Sequence, residues 1–256
     1  MPKLQLKLVD RKLIGDCVYL VTFHSAENFE YKPGQFLSFK VEEKVFRSYS
    51  IVEASQTSSY SNSSEEKVGR FISFIVNTKS GGYGSKLMQD AKIDTLVEAV
   101  GPAGRFQLQN TDFPKVFVCT GTGLAPFVPM IKQLLYSGDQ SNPTTPDLET
   151  VDGNTENKAK PRIDIYFGAK TSQDKFIDKL FTKEELDQLN TFVSLSNEEP
   201  KNGEYKGFVN EALLKNITDY KAAEFYLCGN PVMVESVKAM LEEHQADKVY
   251  LEKYTL

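Results

Sequence analysis

Residues 47–50 read Arg-Ser-Tyr-Ser, a cation, an aromatic ring and two hydroxyls in a run that favours extended backbone. Side chains alternate along a strand, so Arg47 and Tyr49 share one face and Ser48 and Ser50 the other. An arginine grips a phosphate through two parallel hydrogen bonds. A tyrosine two residues on can lay its ring against a flat heterocycle, and the Ser50 hydroxyl can bond that heterocycle's edge. Phosphate, flat ring and polar ring edge are the parts of a flavin nucleotide. Taken alone, the motif is also what an ordinary amphipathic strand can read.

Three glycine-bearing turns could hold the rest of such chemistry. Gly81-Gly82-Tyr83-Gly84-Ser85 precedes the apolar Leu87-Met88 of a helix start. Glycines let backbone approach an anion, a helix N-terminus offers free N–H groups, and Ser85 can cap the helix or donate to a phosphate. The alternative is a plain glycine-rich hairpin with a serine cap. Gly121-Thr122-Gly123-Leu124-Ala125-Pro126 follows an apolar strand and opens a helix, the setting a dinucleotide pyrophosphate needs; Pro126 stands where a full fingerprint has its third glycine. Tyr226-Leu227-Cys228-Gly229-Asn230-Pro231 repeats strand, turn and helix, which puts Cys228 and Gly229 at the same sheet edge as Gly121. A buried cysteine there is equally a structural one.

These residues need elements to position them. Leu4 to Asp10, Val18 to Phe23, Phe36 to Phe39, Arg47 to Ile51, Phe71 to Val76 and Thr95 to Val100 are β-rich runs separated by turn residues, which predicts a small antiparallel six-stranded β-barrel. After Gly101-Pro102 the pattern changes. Apolar strands (Val116 to Cys119, Ile163 to Phe167, Phe192 to Leu195, Ala223 to Cys228, Val249 to Tyr254) alternate with helical stretches, which predicts an α/β domain on a parallel sheet. The helical stretches are Ala125 to Tyr136, one opened by the Thr182–Glu185 capping box, Phe208 to about Leu214, and one started by Asn230-Pro231. The expected domains are residues 1–109 and 110–256. Ser55 to Lys67 and Ser137 to Lys160 are polar stretches too poor in apolar residues to order well.

Composition closes off other classes. The chain has 256 residues and a net charge of −5, so no basic excess points to nucleic acid. No apolar run is long enough for a membrane span, and no signal-peptide core opens the chain, so a cytoplasmic location is expected. The 3 cysteines and 2 histidines are scattered, so no metal site and no iron–sulfur cluster of its own is expected.

Together the motifs resemble those of the ferredoxin–NADP reductase family in its wide sense. Pro33-Gly34-Gln35-Phe36 is similar to the family's PGQF strand, Arg47 to Ser50 to RxYS, and Gly82 to Ser85 to GxxS. Gly101 to Phe106 resembles GPxGxF, Gly121 to Phe127 GTGxAPF, Cys228 to Met233 CGxPxM, and Glu252-Lys253-Tyr254 the terminal ExY. They fall in the family's order over nearly the whole chain. The resemblance implies a flavin-binding barrel followed by a Rossmann-like nicotinamide-binding domain. In it Arg47 and Ser85 hold flavin phosphates, Tyr49 packs on the isoalloxazine, and Ser50 sits near its N5. Ser48, Gly82, Tyr83 and Gly84 complete that cofactor set. Tyr254 covers the other ring face, although Thr255 and Leu256 extend past it. Gly121, Thr122 and Gly123 support the nicotinamide cofactor's pyrophosphate, Lys170 and Ser196 its adenosine side, and Cys228, Gly229 and Glu252 border the nicotinamide.

The implied activity is hydride transfer between NADH or NADPH and FAD, with single electrons passing to or from a separate ferredoxin or flavodoxin. Positioning and water exclusion are the protein's part in this chemistry. FMN is the alternative flavin, because only a short turn separates the Phe71 strand from Gly81. Ser196-Asn197-Glu198-Glu199 ends the third α/β strand where NADPH users tend to show Ser-Arg, which favours NADH. Two other readings share the motifs: the reductase component of a multi-component oxygenase, and a non-catalytic flavin- or dinucleotide-binding subunit.

Overall fold

The computed structural model describes residues 1–27, 29–55, 70–79, 81–136, 160–201 and 203–253. Most of the two polar stretches and residues 254–256 lie outside them. The described chain forms two compact units.

The first unit is built on six strands: β1 (Lys3–Gly15), β2 (Val18–Ser25), β3 (Phe36–Glu42), β4 (Val45–Ser55), β5 (Arg70–Asn77) and β6 (Leu96–Ala103). They close antiparallel in the order β1-β2-β5-β4-β3-β6. Closure removes the exposed sheet edges that an open antiparallel sheet must protect. Alternation does the sorting. Leu4, Leu6 and Leu8 of β1 are buried, and Phe23, Phe39 and Phe74 meet at ring-centroid distances of 5.1, 5.0 and 6.1 Å. Helix α1 (Tyr83–Asp90) follows β5, and Arg11 of β1 fastens its end by donating to the carbonyls of Met88 (2.8 Å) and Ala91 (3.2 Å). A cation at a helix C-terminus meets the negative end of the dipole. Helix α2 (Phe127–Tyr136) clusters with this unit. Gly34 lies so close to Phe106 that a β-carbon there would stand 1.8 Å from its carbonyl oxygen.

The second unit carries a six-stranded parallel sheet: β7 (Lys115–Thr120), β8 (Ile163–Ala169), β9 (Asn190–Leu195), β10 (Tyr205–Lys206), β11 (Glu224–Gly229) and β12 (Val249–Lys253). Its order is β10-β9-β8-β7-β11-β12, so the winding reverses between β7 and β11. Ligands of open α/β sheets bind beyond the carboxyl ends of strands at such a reversal. Helices α4 (Val209–Asn216) and α5 (Pro231–Glu243) pack on the sheet, and the single-turn α3 (Lys183–Leu186) precedes β9. The Thr182 capping box forms, with Glu185 N–H donating to the Thr182 hydroxyl at 3.2 Å and Thr182 N–H to Glu185 at 2.7 Å. Asn230 caps α5 by accepting from Val232 N–H at 2.8 Å. Two elements differ from expectation. The helical stretch expected from Ala125 begins at Phe127, after a 3-10 turn over Gly121–Leu124. The two-residue β10 extends the sheet edge. Among the described residues no helix is long and apolar enough to cross a membrane.

The amino ends of β7 and β11 carry a charge pair that sequence reading missed. Lys115 and Glu224 sit opposite in register, 0% and 1% exposed at the side chain, with Nζ and Oε2 2.7 Å apart. The lysine also donates to the Thr111 carbonyl (2.9 Å) and hydroxyl (2.7 Å). The carboxylate accepts from Thr111 (2.7 Å) and from the Tyr226 hydroxyl (2.9 Å), and that hydroxyl accepts from Gln109 N–H (2.9 Å). Burial alone would raise the Glu224 carboxyl, but bonds from Lys115, Thr111 and Tyr226 hold it below the usual range.

Removing one partner leaves a buried charge unanswered, which costs about 3–5 kcal/mol. Lys115→Met therefore lowers urea-unfolding stability by that amount, and adding Glu224→Leu restores much of it. Because the folded carboxyl is depressed, the Glu224 contribution is full at neutral pH and fades as pH falls below the ordinary carboxylate range. An acid titration of wild-type stability that lacks this slope when both residues are replaced checks it.

Candidate functional site

The barrel gathers the first constellation as strand geometry requires. Tyr49 stands opposite Leu37 and Arg47 opposite Phe39, on the same sheet face. The Tyr49 ring meets Phe39 edge-on at 5.8 Å and 77°. Burial pushes the Tyr49 phenol up to about 12, with the Arg47 charge pulling the other way. It therefore stays protonated and can donate a hydrogen bond at neutral pH.

Helix α1 begins against these two side chains. A β-carbon on Gly84 would stand 2.3 Å from the Tyr49 hydroxyl and 3.3 Å from Arg47 Cγ, so only glycine admits this contact. Gly82 is the N-cap, with no side-chain bond to the helix end. Its first turn thus presents backbone N–H groups, the positive dipole end, beside Tyr49 and Arg47. The exposed Arg47 guanidinium donates only to the Phe46 carbonyl (2.9 Å) and forms no ion pair among the described residues. A cation, free backbone donors and a glycine cradle at one place fit a flavin nucleotide's phosphates.

The other members divide. Ser50 is buried and follows Tyr49 on the opposite face. Ser48 is exposed on that face with its hydroxyl 2.8 Å from that of Ser38, so it does not join Arg47 and Tyr49. Ser85 does not cap α1. Its hydroxyl donates to the Asn77 carbonyl at 3.1 Å, which ties the helix to the end of β5. Tyr83 is largely exposed.

In the second unit the expected glycine turns meet. A β-carbon on Gly123 would stand 2.3 Å from the Cys228 carbonyl oxygen, and one on Gly229 2.6 Å from the Thr120 hydroxyl. The loops after β7 and β11 therefore lie backbone to backbone. Thr120 joins them, its hydroxyl accepting from Asn230 N–H at 3.0 Å. Sequence reading passed over Thr120, although a β-branched hydroxyl directly before Gly-Thr-Gly was a usable signal. Gly121 takes φ +52° with open space beside it. Open space beside Gly121 at the sheet's reversal point fits a dinucleotide pyrophosphate.

Cys119, Cys228 and Glu252 form a row across β7, β11 and β12 by register. Burial and the neighbouring Cys228 push the Cys119 thiol well above its ordinary range, so it is not a nucleophile at neutral pH. Tyr254 lies outside the described residues. At the far side, Ser196 and Asn197 N–H groups donate to the Ala169 (3.1 Å) and Lys170 (2.8 Å) carbonyls, which joins the loops after β8 and β9. Glu198 accepts from Ser172 N–H (2.7 Å) and hydroxyl (2.9 Å), and these bonds hold its carboxyl below the usual range. Glu199 pairs with Lys206.

Two family models match the chain. Residues 5–108 match the oxidoreductase FAD-binding domain and residues 117–239 the oxidoreductase NAD-binding domain. The anthranilate 1,2-dioxygenase electron transfer component of Acinetobacter baylyi is 23% identical over 93% of the chain and 62% of its own length. The cytochrome P450 reductase GcoB of Amycolatopsis superposes at TM-score 0.78, with 21% identity over 100% of this chain and 70% of that one. Ferredoxin-NADP+ reductase from Plasmodium falciparum superposes at 0.67, with 21% identity over 98% and 96%. The chain spans only 56% to 62% of the first curated relatives it matches.

The two glycine contacts are separable by mutation. Gly84→Ala drives a methyl into Tyr49, so the purified protein loses most of its flavin absorbance while NADH still binds. Gly123→Ala meets backbone rather than a movable side chain, so it abolishes NADH reduction in a protein that keeps its flavin. Absorbance spectra and anaerobic NADH titration of both variants check this.

Proposed function

The chain belongs to the oxidoreductases that join an FAD-binding to an NAD-binding domain, the ferredoxin–NADP reductase-like flavin reductases, and from that premise we propose that it carries electrons between NADH and a separate redox protein. Bound FAD would supply the change from two-electron to one-electron chemistry. The observation that carries this reading is the contact of Gly84 with Tyr49 and Arg47. It sets a phosphate cation, a protonated phenol and a bare helix N-terminus side by side.

The residues divide the task. Arg47 and the first turn of α1 bind the flavin phosphates, charge-assisted donors meeting an anion. Tyr49 orients the ring system, and the buried Ser50 hydroxyl donates to the ring edge near N5. The turn Gly121-Thr122-Gly123 takes the dinucleotide pyrophosphate. Cys228 and Glu252 border the nicotinamide, Cys228 as a small apolar wall that keeps water out and Glu252 as a hydrogen-bond acceptor. Lys170 and Ser196 face the adenosine half. Glu198, held in place by Ser172, adds a negative charge where a 2′-phosphate would need a positive one, which favours NADH.

The electron partner is a small ferredoxin or flavodoxin-like protein, and the meeting takes place in the cytoplasm. No disulfide joins Cys17, Cys119 and Cys228 among the described residues, in keeping with a reducing compartment. A second reading makes the chain the reductase component of an oxygenase system. The electron-transfer component of the anthranilate dioxygenase among its relatives favours that reading.

Purified protein is expected to be yellow and to release FAD on denaturation, and anaerobic NADH should bleach it. The NADH kcat/KM should exceed that for NADPH by tenfold or more, and a reversed ratio refutes the donor assignment. Arg47→Ala should weaken flavin retention about ten- to hundredfold, the worth of a charged hydrogen bond. A colourless protein that binds no added flavin sinks the whole proposal.

A further inference from the structure

Thr120 ends β7, and both branches of its side chain are in use. Its Cγ2 methyl lies 2.8 Å from where a β-carbon on Gly168 would stand, so it fills the space beside its register partner on β8. Its hydroxyl lies on the β11 side. There it sits 2.6 Å from the β-carbon position of Gly229 and accepts from Asn230 N–H at 3.0 Å. Serine would keep the acceptor without the methyl, and valine the branching without the acceptor, so the two roles can be separated.

The N–H that Thr120 accepts belongs to the N-cap of α5. A helix start leaves its first N–H groups without partners inside the helix. Here Asn230 N–H goes to Thr120, Pro231 has none to give, and Val232 N–H goes to the Asn230 side chain at 2.8 Å. Val234 N–H then opens the regular helical pattern by donating to the Asn230 carbonyl at 3.0 Å. Two residues earlier, the Cys228 carbonyl oxygen lies 2.3 Å from the β-carbon position of Gly123. Residues 228–230 are therefore held at two points of different kind. The contact with Gly123 is repulsive and sets how near the segment can come. The bond to Thr120 is attractive and keeps it there.

We infer that the Thr120 hydroxyl is a positioning group for hydride transfer, acting through the Cys228–Asn230 segment, while its methyl serves stability. The assignment rests on the nicotinamide reading of the second unit, in which Cys228 borders the reacting ring. Asn230 is exposed, so its N–H finds water once the hydroxyl is gone. Water satisfies the donor but does not fix the segment, so geometry loosens while stability changes little. A valine methyl in the hydroxyl's place would also stand about 3.0 Å from the Asn230 nitrogen, inside contact distance, and push the segment away. A misplacement of about 1 Å is enough to slow a positioned reaction about a hundredfold.

The test compares Thr120→Val and Thr120→Ser with wild type, all flavin-loaded, by NADH kinetics and thermal unfolding. A primary isotope effect is read with NADH deuterated at both C4 positions. Thr120→Val should lower kcat about ten- to hundredfold, raise the isotope effect, and leave the KM for NADH and the melting temperature near wild type. Thr120→Ser should show the opposite pattern: wild-type kcat and isotope effect, with melting lowered by about 2–4 °C for the lost methyl. A valine variant with wild-type kcat overturns the assignment. So does a raised KM with kcat unchanged, which would mark a ligand contact, or kcat losses in both variants that follow their melting temperatures, which would mark a structural role. Wild-type flavoprotein that NADH does not reduce would instead remove the nicotinamide reading, and this assignment with it.

Discussion

Two bare backbones in contact govern the second unit. Gly123 lies against the Cys228 carbonyl and Gly229 against Thr120, at distances no β-carbon tolerates. Only because both positions lack a side chain can the loops after β7 and β11 close on each other at the reversal of the sheet. That closure lies beside the open space at Gly121. The sheet supplies the register and the glycines supply the proximity.

The barrel reaches the same end by a different route. There one glycine, Gly84, meets side chains rather than backbone, and the helix it begins is fastened at its other end by Arg11. The Tyr49 phenol is therefore gripped from two directions, by Phe39 below and α1 beside it. A ring held this way keeps its orientation at no further entropic cost when a ligand arrives, which is how preorganisation adds affinity. Arg47 is exposed and forms no ion pair among the described residues, so its charge is open to an anion.

Away from the sites, the unit spends charge differently. Lys115 and Glu224 are buried together at the opposite, amino ends of the two strands whose carboxyl ends carry the glycine loops. Their network, completed by Thr111, Tyr226 and Gln109, pins the register of β7 against β11. A one-residue slip would separate the charges in a dry interior, so the pair opposes the misalignment that would also pull Gly123 from Cys228.

Much of this was legible in the sequence because it is local. Alternation along β4 put Arg47 and Tyr49 on one face, strand-turn-helix punctuation located Gly121 and Cys228, and the Asn230-Pro231 and Thr182–Glu185 caps formed as read. These signals depend on neighbours within a few residues, where backbone sterics and hydrogen bonding decide. What remained hidden involves partners far apart in the chain. Nothing near Lys115 announces Glu224, nothing near Gly84 announces Tyr49, and Ser85 reads as a cap until Asn77 claims its hydroxyl. Sequence alone determined the kinds of element and the candidate chemistry; tertiary structure decided which groups meet, because closing a barrel and setting parallel register are long-range events.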